Sequence, residues 1–311
     1  MRKILAMLVC LILLFAAVLS GCSGDEDSGK GPIVVGSKID TEGALLSQII
    51  ILSLRDNGFE VTDKSQFGPT SVVRKALETD ELDMYPEYTG NGAFFFDETD
   101  SDVWNDADKG YQRVKELDKT NFDIIWLESA PANNTWAIAI PVSLSEAENI
   151  RTLDDFADYV NSGGSVKLIG SEEFVTSPVA LPKFQEVYGF KLVQEQLITV
   201  SSGDTAQTER AASEGIDGVN AAMAYGTDGL LSALGLVVLE DPKGAQPVYE
   251  PAPRVRGEIM DKYPEIADIL NPIFRTLDLE TLQILNGKIA VEGEIAADVA
   301  REYLVSEGFL K

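Results

Sequence analysis

The residue types that carry most enzyme chemistry are nearly absent from this chain. Its 311 residues include no histidine and 2 cysteines. That removes His-based triads, histidine general bases and histidine metal ligands together. Carboxylate, lysine, tyrosine and serine remain. Among them the segment DMYPEYTGN, Asp83 to Asn91, is unusual, since two tyrosines flank a glutamate ahead of a Thr-Gly turn signal. Such rings either pack down on the domain at an edge turn or face a ligand. The residues alone leave both open. A carboxylate-only enzyme such as a glycosidase would need two acids about 5–9.5 Å apart across one cleft, and no motif indicates one. The chain is expected not to be an enzyme.

The cysteines have other uses. Met1-Arg2-Lys3 is a basic start, Ile4 to Leu19 an apolar run, and Leu19-Ser20-Gly21-Cys22 resembles a bacterial lipobox. The run is shorter than the roughly 20 apolar residues of a spanning helix. Residues 1–21 therefore read as a lipoprotein signal peptide, with Cys22 the lipidated residue of an extracytoplasmic, membrane-anchored chain. Residues 22–31, ending in SGKG and Pro-flanked, have nothing to bury and read as a flexible tether. Cys10 leaves with the signal peptide, so the folded part, starting near Pro32, would hold no disulfide.

Charge narrows the partners. The chain carries 25 basic and 51 acidic residues, a net −26, and −28 once Arg2 and Lys3 are removed. Phosphate binding needs clustered Lys and Arg, so nucleic acid is excluded as a partner. The acidic segment DETDSDVWNDADKG lacks the ligand spacing and glycine of a calcium loop, and no metal or cofactor is expected.

The elements that must position these residues alternate. Ile33–Gly36 reads as a buried strand. Asp40 or Thr41 can cap a helix with Leu45, Ile49, Leu52 and Leu54 on one side, stopped at Asn57-Gly58. A strand at Phe59–Val61 and a helix at Val72–Leu77 follow, a rhythm that predicts a parallel α/β sheet. Further strands are expected at 121–127, 136–140, 166–169, 197–200 and 219–224 and within LGLVVLEDPKG, with helices at 153–160, 181–188 and 205–213. From Arg256 onward the pattern is helical. Ligands of such sheets sit beyond the carboxyl ends of strands, which singles out GSKIDTEG, DMYPEYTGN, ESAPANNTW and AYGTDG.

These segments, in order, resemble the substrate-binding proteins of osmoprotectant ABC importers, which bind glycine betaine, choline, carnitine or related quaternary amines. The likeness runs from about Ile33 to Leu310 and rests on VGSKIDTEG, GFEVTDKSQFGPTSVVRKALETDELDMYPEYTG, NNTWAIAI, AMAYGTDG, LVVLEDPKG, PVYEPAPRVR and VAREYL. SSGDTAQTERAA and GVNAAMAYGTDG are most similar to the low-affinity, YehZ/OsmF-like branch. The resemblance implies an α/β, two-lobed type II periplasmic-binding-protein fold with the ligand in the interlobe cleft. Lobe one would comprise 32–135 and 229–311, and lobe two 136–228. It also implies a monomeric receptor that hands its ligand to the transmembrane subunits of an ABC permease.

By motif position the resemblance assigns a ligand cage to Tyr88, Trp136, where relatives usually have tyrosine, and Tyr225. A trimethylammonium group is cationic yet has no N–H to donate, so aromatic faces suit it, each contributing about 0.5–2 kcal/mol. Tyr85 is expected in the core. Two positions depart from the family pattern. GDTAQTERAA contains no ring where relatives have a fourth, and FVTSPVALP puts Ser177 where relatives commonly have a carboxylate-gripping arginine. Lys38, Asn91, Ser177 and Thr205 remain as polar partners. The expectation is weak betaine binding or a ligand without a carboxylate, such as choline. The runner-up is a same-fold receptor for choline, carnitine or another small polar solute such as an amino acid.

Overall fold

The computed structural model describes residues 30–99, 101–201 and 205–310. The expected signal peptide, Cys22 and the tether up to residue 29 lie outside the described residues. The strand β1, Lys30–Lys38, already includes the last two residues assigned to the tether. Its apolar run continues through the helix Thr41–Asp56, which Asp40 caps by accepting from the Gly43 N–H. This helix is buried on almost every side, not along one stripe, because the C-terminal helix Ala296–Ser306 packs on it opposite the sheet.

The strands β2, Phe59–Gly68, and β3, Met84–Tyr88, both pair parallel with β1. After the strand β4, Ile124–Trp126, the chain leaves this sheet. It builds a second one from β5, Trp136–Pro141, β6, Leu168–Ser171, β7, Leu197–Val200, β8, Ala221–Tyr225, and β9, Leu236–Val238. It then returns as β10, Pro251–Arg256, between β3 and β4. The sheet orders are β2-β1-β3-β10-β4 and β7-β6-β8-β5-β9.

Two expectations change, and one strand is new. Both sheets are mixed rather than parallel, since β10 runs antiparallel to β3 and β4, and β5 antiparallel to β8 and β9. Each of these two strands enters its sheet from the other one, and so from the opposite end. The strand β9, placed in lobe one by the sequence, pairs with β5 in the second sheet. The return crossing therefore lies between Val238 and Pro251 and not at Asp228. Finally β10 carries Pro251 and Pro253, which argue against a central strand. Their carbonyls accept from Ala130 and Leu127 N–H, so the missing amides point past the end of the short β4 and cost no ladder bond.

Each sheet has its own core. Ile33, Val35, Leu45, Ile49, Phe274 and Leu304 belong to the first, and Ile138, Phe156, Leu168, Phe174 and Phe184 to the second. The two crossings are bonded to each other. The Asn134 N–H donates to the Tyr249 carbonyl at 3.0 Å, and the Tyr249 N–H donates to Asn133 Oδ1 at 2.8 Å. A Cβ at Gly226 would lie 2.0 Å from the Asn133 carbonyl oxygen, so only glycine fits where β8 ends against the first crossing.

Candidate functional site

Between the sheets lies a cleft of about 720 Å³. It collects Lys38 from the end of β1, Tyr88 from the end of β3, and Asn91 from the turn after it. From the second sheet come Trp136 at the start of β5, Tyr225 at the end of β8, and Thr205, which opens the helix Thr205–Glu214. Six of the seven residues expected to bind ligand thus line one cavity. Ser177 does not. The helix Glu172–Thr176 ends there in extended backbone, with the Ser177 N–H bonded back to Glu173 and its carbonyl accepting from Ala180, and Val179 reaches the cleft instead.

The opening tyrosines are not in a loop. Tyr85 and Tyr88 alternate along β3, every residue of which is buried. Tyr85 faces the core and Tyr88 the cleft. The Tyr88 hydroxyl donates to Glu42 Oε1 at 2.7 Å, and burial pushes its pKa well up. Across the cleft Trp136 and Tyr225 are direct partners in the β5–β8 ladder, and Trp136 Nε1 donates to the Tyr225 hydroxyl at 3.0 Å. That bond fixes both rings at the cleft wall, and burial raises the Tyr225 pKa.

Sequence reasoning missed three further rings in the lining, Phe94, Trp104 and Tyr249. Tyr249 lines the cleft from the return crossing, close enough to the opening turn that a Cβ at Gly90 would lie 2.9 Å from its ring. Burial pushes its phenol up to about 12. The motif PVYEPAPRVR carried the signal, but without the pairing of the two crossings nothing in it separated Tyr249 from a packing residue. No ring comes from the helix Thr205–Glu214, which contributes Glu209 to the cleft.

Carboxylates dominate the charged lining. Asp40, Glu42, Glu209 and Asp228 line the cleft among its described residues, with Lys38 as their one basic companion. Glu42, also missed, accepts from Tyr88, from Asn286 Nδ2 at 2.6 Å and from Asn134 Nδ2 at 3.3 Å, and burial raises its pKa. Burial raises the Asp40 pKa too, against the Gly43 N–H and the Lys38 charge that lower it.

Lys38 is committed to the protein. Its ammonium pairs with the fully buried Glu87 and sits 4.5 Å from the centre of the Tyr88 ring. Glu87 also accepts from the Tyr85 hydroxyl at 3.0 Å, the Tyr88 N–H at 2.7 Å and Asn91 Nδ2 at 2.7 Å. Burial alone would push this carboxyl up, but the Lys38 and Arg254 charges and these donors hold it below its ordinary value. Behind it Arg254, also fully buried, donates to the Tyr85 hydroxyl at 2.6 Å and pairs with Asp118 at 2.8 Å. Asn91 and Lys38 therefore both point at Glu87, and the cage rests on an ionised buried shelf. An acidic cleft walled by aromatic rings is suited to hold a compact cation that donates no hydrogen bonds.

Comparison with known proteins agrees with this geometry. The family model described as the substrate binding domain of ABC-type glycine betaine transport systems matches residues 31–306. The chain is 51% identical over 280 residues to the glycine betaine-binding protein YehZ of Escherichia coli K12, covering 90% of this chain and 92% of that protein. It is 33% identical over 287 residues to a glycine-betaine-binding protein of Pseudomonas aeruginosa, covering 88% and 89%. In structure it is similar to apo YehZ from Escherichia coli, with a TM-score of 0.86 over 90% of this chain and 99% of that one. A glycine betaine/carnitine/choline ABC transporter structure shares the fold with a TM-score of 0.81 at 19% identity, over 90% and 100%.

Proposed function

The chain belongs to the family of substrate binding domains of ABC-type glycine betaine transport systems, and from that premise we propose that it is an extracytoplasmic receptor whose cleft captures a quaternary ammonium solute. The observation that carries this reading is the convergence of Tyr88, Trp136, Tyr225 and Tyr249, from both sheets and the return crossing, on one cavity whose described lining has four carboxylates and a single, already paired lysine. A trimethylammonium group meets those faces without leaving a donor unpaired. The mature chain is read as a monomer held at the membrane through Cys22, and closure of the lobes over the ligand would present it to the permease.

Glycine betaine is the ligand named for the two most similar relatives described above, and its cationic end fits the cage. Its carboxylate end has less to grip. Ser177 lies away from the cleft and Lys38 is bound to Glu87, so a charge-assisted pair, typically contributing about 1.5–3 kcal/mol, is lacking. This favours weak betaine binding and admits choline, which carries no carboxylate. Isothermal titration with glycine betaine, choline, carnitine and proline tests the reading. Binding of at least one quaternary amine, lost in Tyr88→Ala with Tyr225→Ala while the fold persists, is expected. Proline binding with no quaternary amine bound would overturn it.

A further inference from the structure

The cation nearest the cage belongs to the protein itself. Lys38 Nζ lies 4.5 Å from the Tyr88 ring centre, inside the range at which a cation is attracted to an aromatic face, and both residues line the cleft. The position is held firmly. Its side chain is about nine-tenths buried, its ammonium is paired to Glu87, and Glu87 is anchored by three further donors. Pairing with Glu87 holds the ammonium over the ring.

We propose that Lys38 is an affinity-setting residue, a tethered ammonium that occupies the Tyr88 face and competes there with the ligand's quaternary nitrogen. The inference rests on the receptor reading above and deepens it. A ligand cation and the lysine ammonium repel each other and seek the same ring, so binding must either displace Lys38 from Tyr88 or use the remaining rings without it. In both cases affinity is lost. Because the competitor is covalently attached it cannot be diluted away, and the loss applies to any quaternary amine whether or not it carries a carboxylate. A lysine that instead gripped the ligand carboxylate would help betaine and be indifferent to choline. The two roles thus predict opposite signs for one substitution.

The test is Lys38→Met, titrated with choline and with glycine betaine. Tighter binding of both by about five- to thirtyfold, the range of a single desolvated cation–π contact, is expected. In a Tyr88→Leu background the same substitution should give no comparable gain, since the disputed face is absent. Because Lys38→Met leaves Glu87 buried beside fewer positive charges, Lys38→Met with Glu87→Gln is measured alongside it, each variant checked by thermal melting. Weaker betaine binding with choline unchanged would overturn the proposal, as would unchanged affinity for both or a gain that persists without Tyr88. If wild type and variants alike bind no quaternary amine, the receptor reading fails first and this inference with it.

Discussion

Glu42 joins Tyr88 to the first crossing and to the C-terminal helices, and Glu42→Ala should expose how much of the site depends on it. The carboxylate is 5% exposed and accepts from the Tyr88 hydroxyl at 2.7 Å, Asn286 Nδ2 at 2.6 Å and Asn134 Nδ2 at 3.3 Å. Hydrogen bonds to a charged group contribute about 1.5–3 kcal/mol each, opposed here by the desolvation that raises its pKa. Alanine leaves the Tyr88 hydroxyl without its acceptor, at about 1–3 kcal/mol, whereas Asn286 keeps the Thr227 carbonyl at 3.0 Å. A loss of roughly 2–4 kcal/mol at pH 7 follows, read as a shift in the urea midpoint. The pH dependence is a sharper check. Glu42 titrates above its ordinary 4.5 in the folded protein, so it takes up its proton more readily there than in the unfolded chain. Its linked stability is fully present below about 4.5 and is lost as pH rises through the folded value. Wild type gains this on acidification from pH 7, and Glu42→Ala cannot. The stability gap between them should widen toward pH 4.5. A gap that narrows, or a loss below about 1 kcal/mol at pH 7, would refute the assignment.

Three other outcomes are expected. Arg254→Met should cost about 3–5 kcal/mol in urea unfolding because Asp118 is left buried with weaker partners, and adding Asp118→Asn should cost less than the two single losses together. Tyr249→Ala should weaken choline binding by about two- to thirtyfold by titration calorimetry while Tyr249→Phe, which keeps the ring, stays close to wild type. Replacing choline by its neutral isostere 3,3-dimethylbutan-1-ol should weaken binding by at least about tenfold, and equal binding would mean that the rings act as apolar walls only.

Much of this arrangement was legible because apolar period and chain order carry it. The helix Thr41–Asp56 with its Asp40 cap, the strands around Trp136 and Tyr225, and the helical C-terminus all follow from local pattern. What local pattern could not hold is pairing across distance. The strand β10 hides behind two prolines that are harmless only because β4 is short, and β9 joins the second sheet through β5, almost 100 residues earlier. The same limit applied to the site. Tyr88, Trp136 and Tyr225 stood in strand-end motifs and line the cleft, whereas Tyr249 and Glu42 reach it through the second crossing and through partners such as Asn134 and Asn286. Ser177 was placed by motif alignment, but the helix before it ends in a turn that directs Val179 to the cleft.

The cage and its shelf also make opposing demands. Glu87 must stay ionised to receive Lys38, Asn91, the Tyr85 hydroxyl and the Tyr88 amide, and those bonds hold the strand that presents the Tyr88 ring. An ionised carboxylate buried this deeply needs positive charge nearby, and Lys38 with Arg254 supplies it. Yet a positive charge close enough to pair with Glu87 is also close enough to lie over Tyr88, since the two residues are consecutive in β3. The ion pair that orients the ring therefore places a cation against it. Tight binding of a quaternary amine would require either a different counter-charge for Glu87, reached from the Arg254 side, or a neutral residue in its place. On this view a low affinity for quaternary amines would follow from how β3 is held in the sheet as much as from the absence of an arginine at position 177.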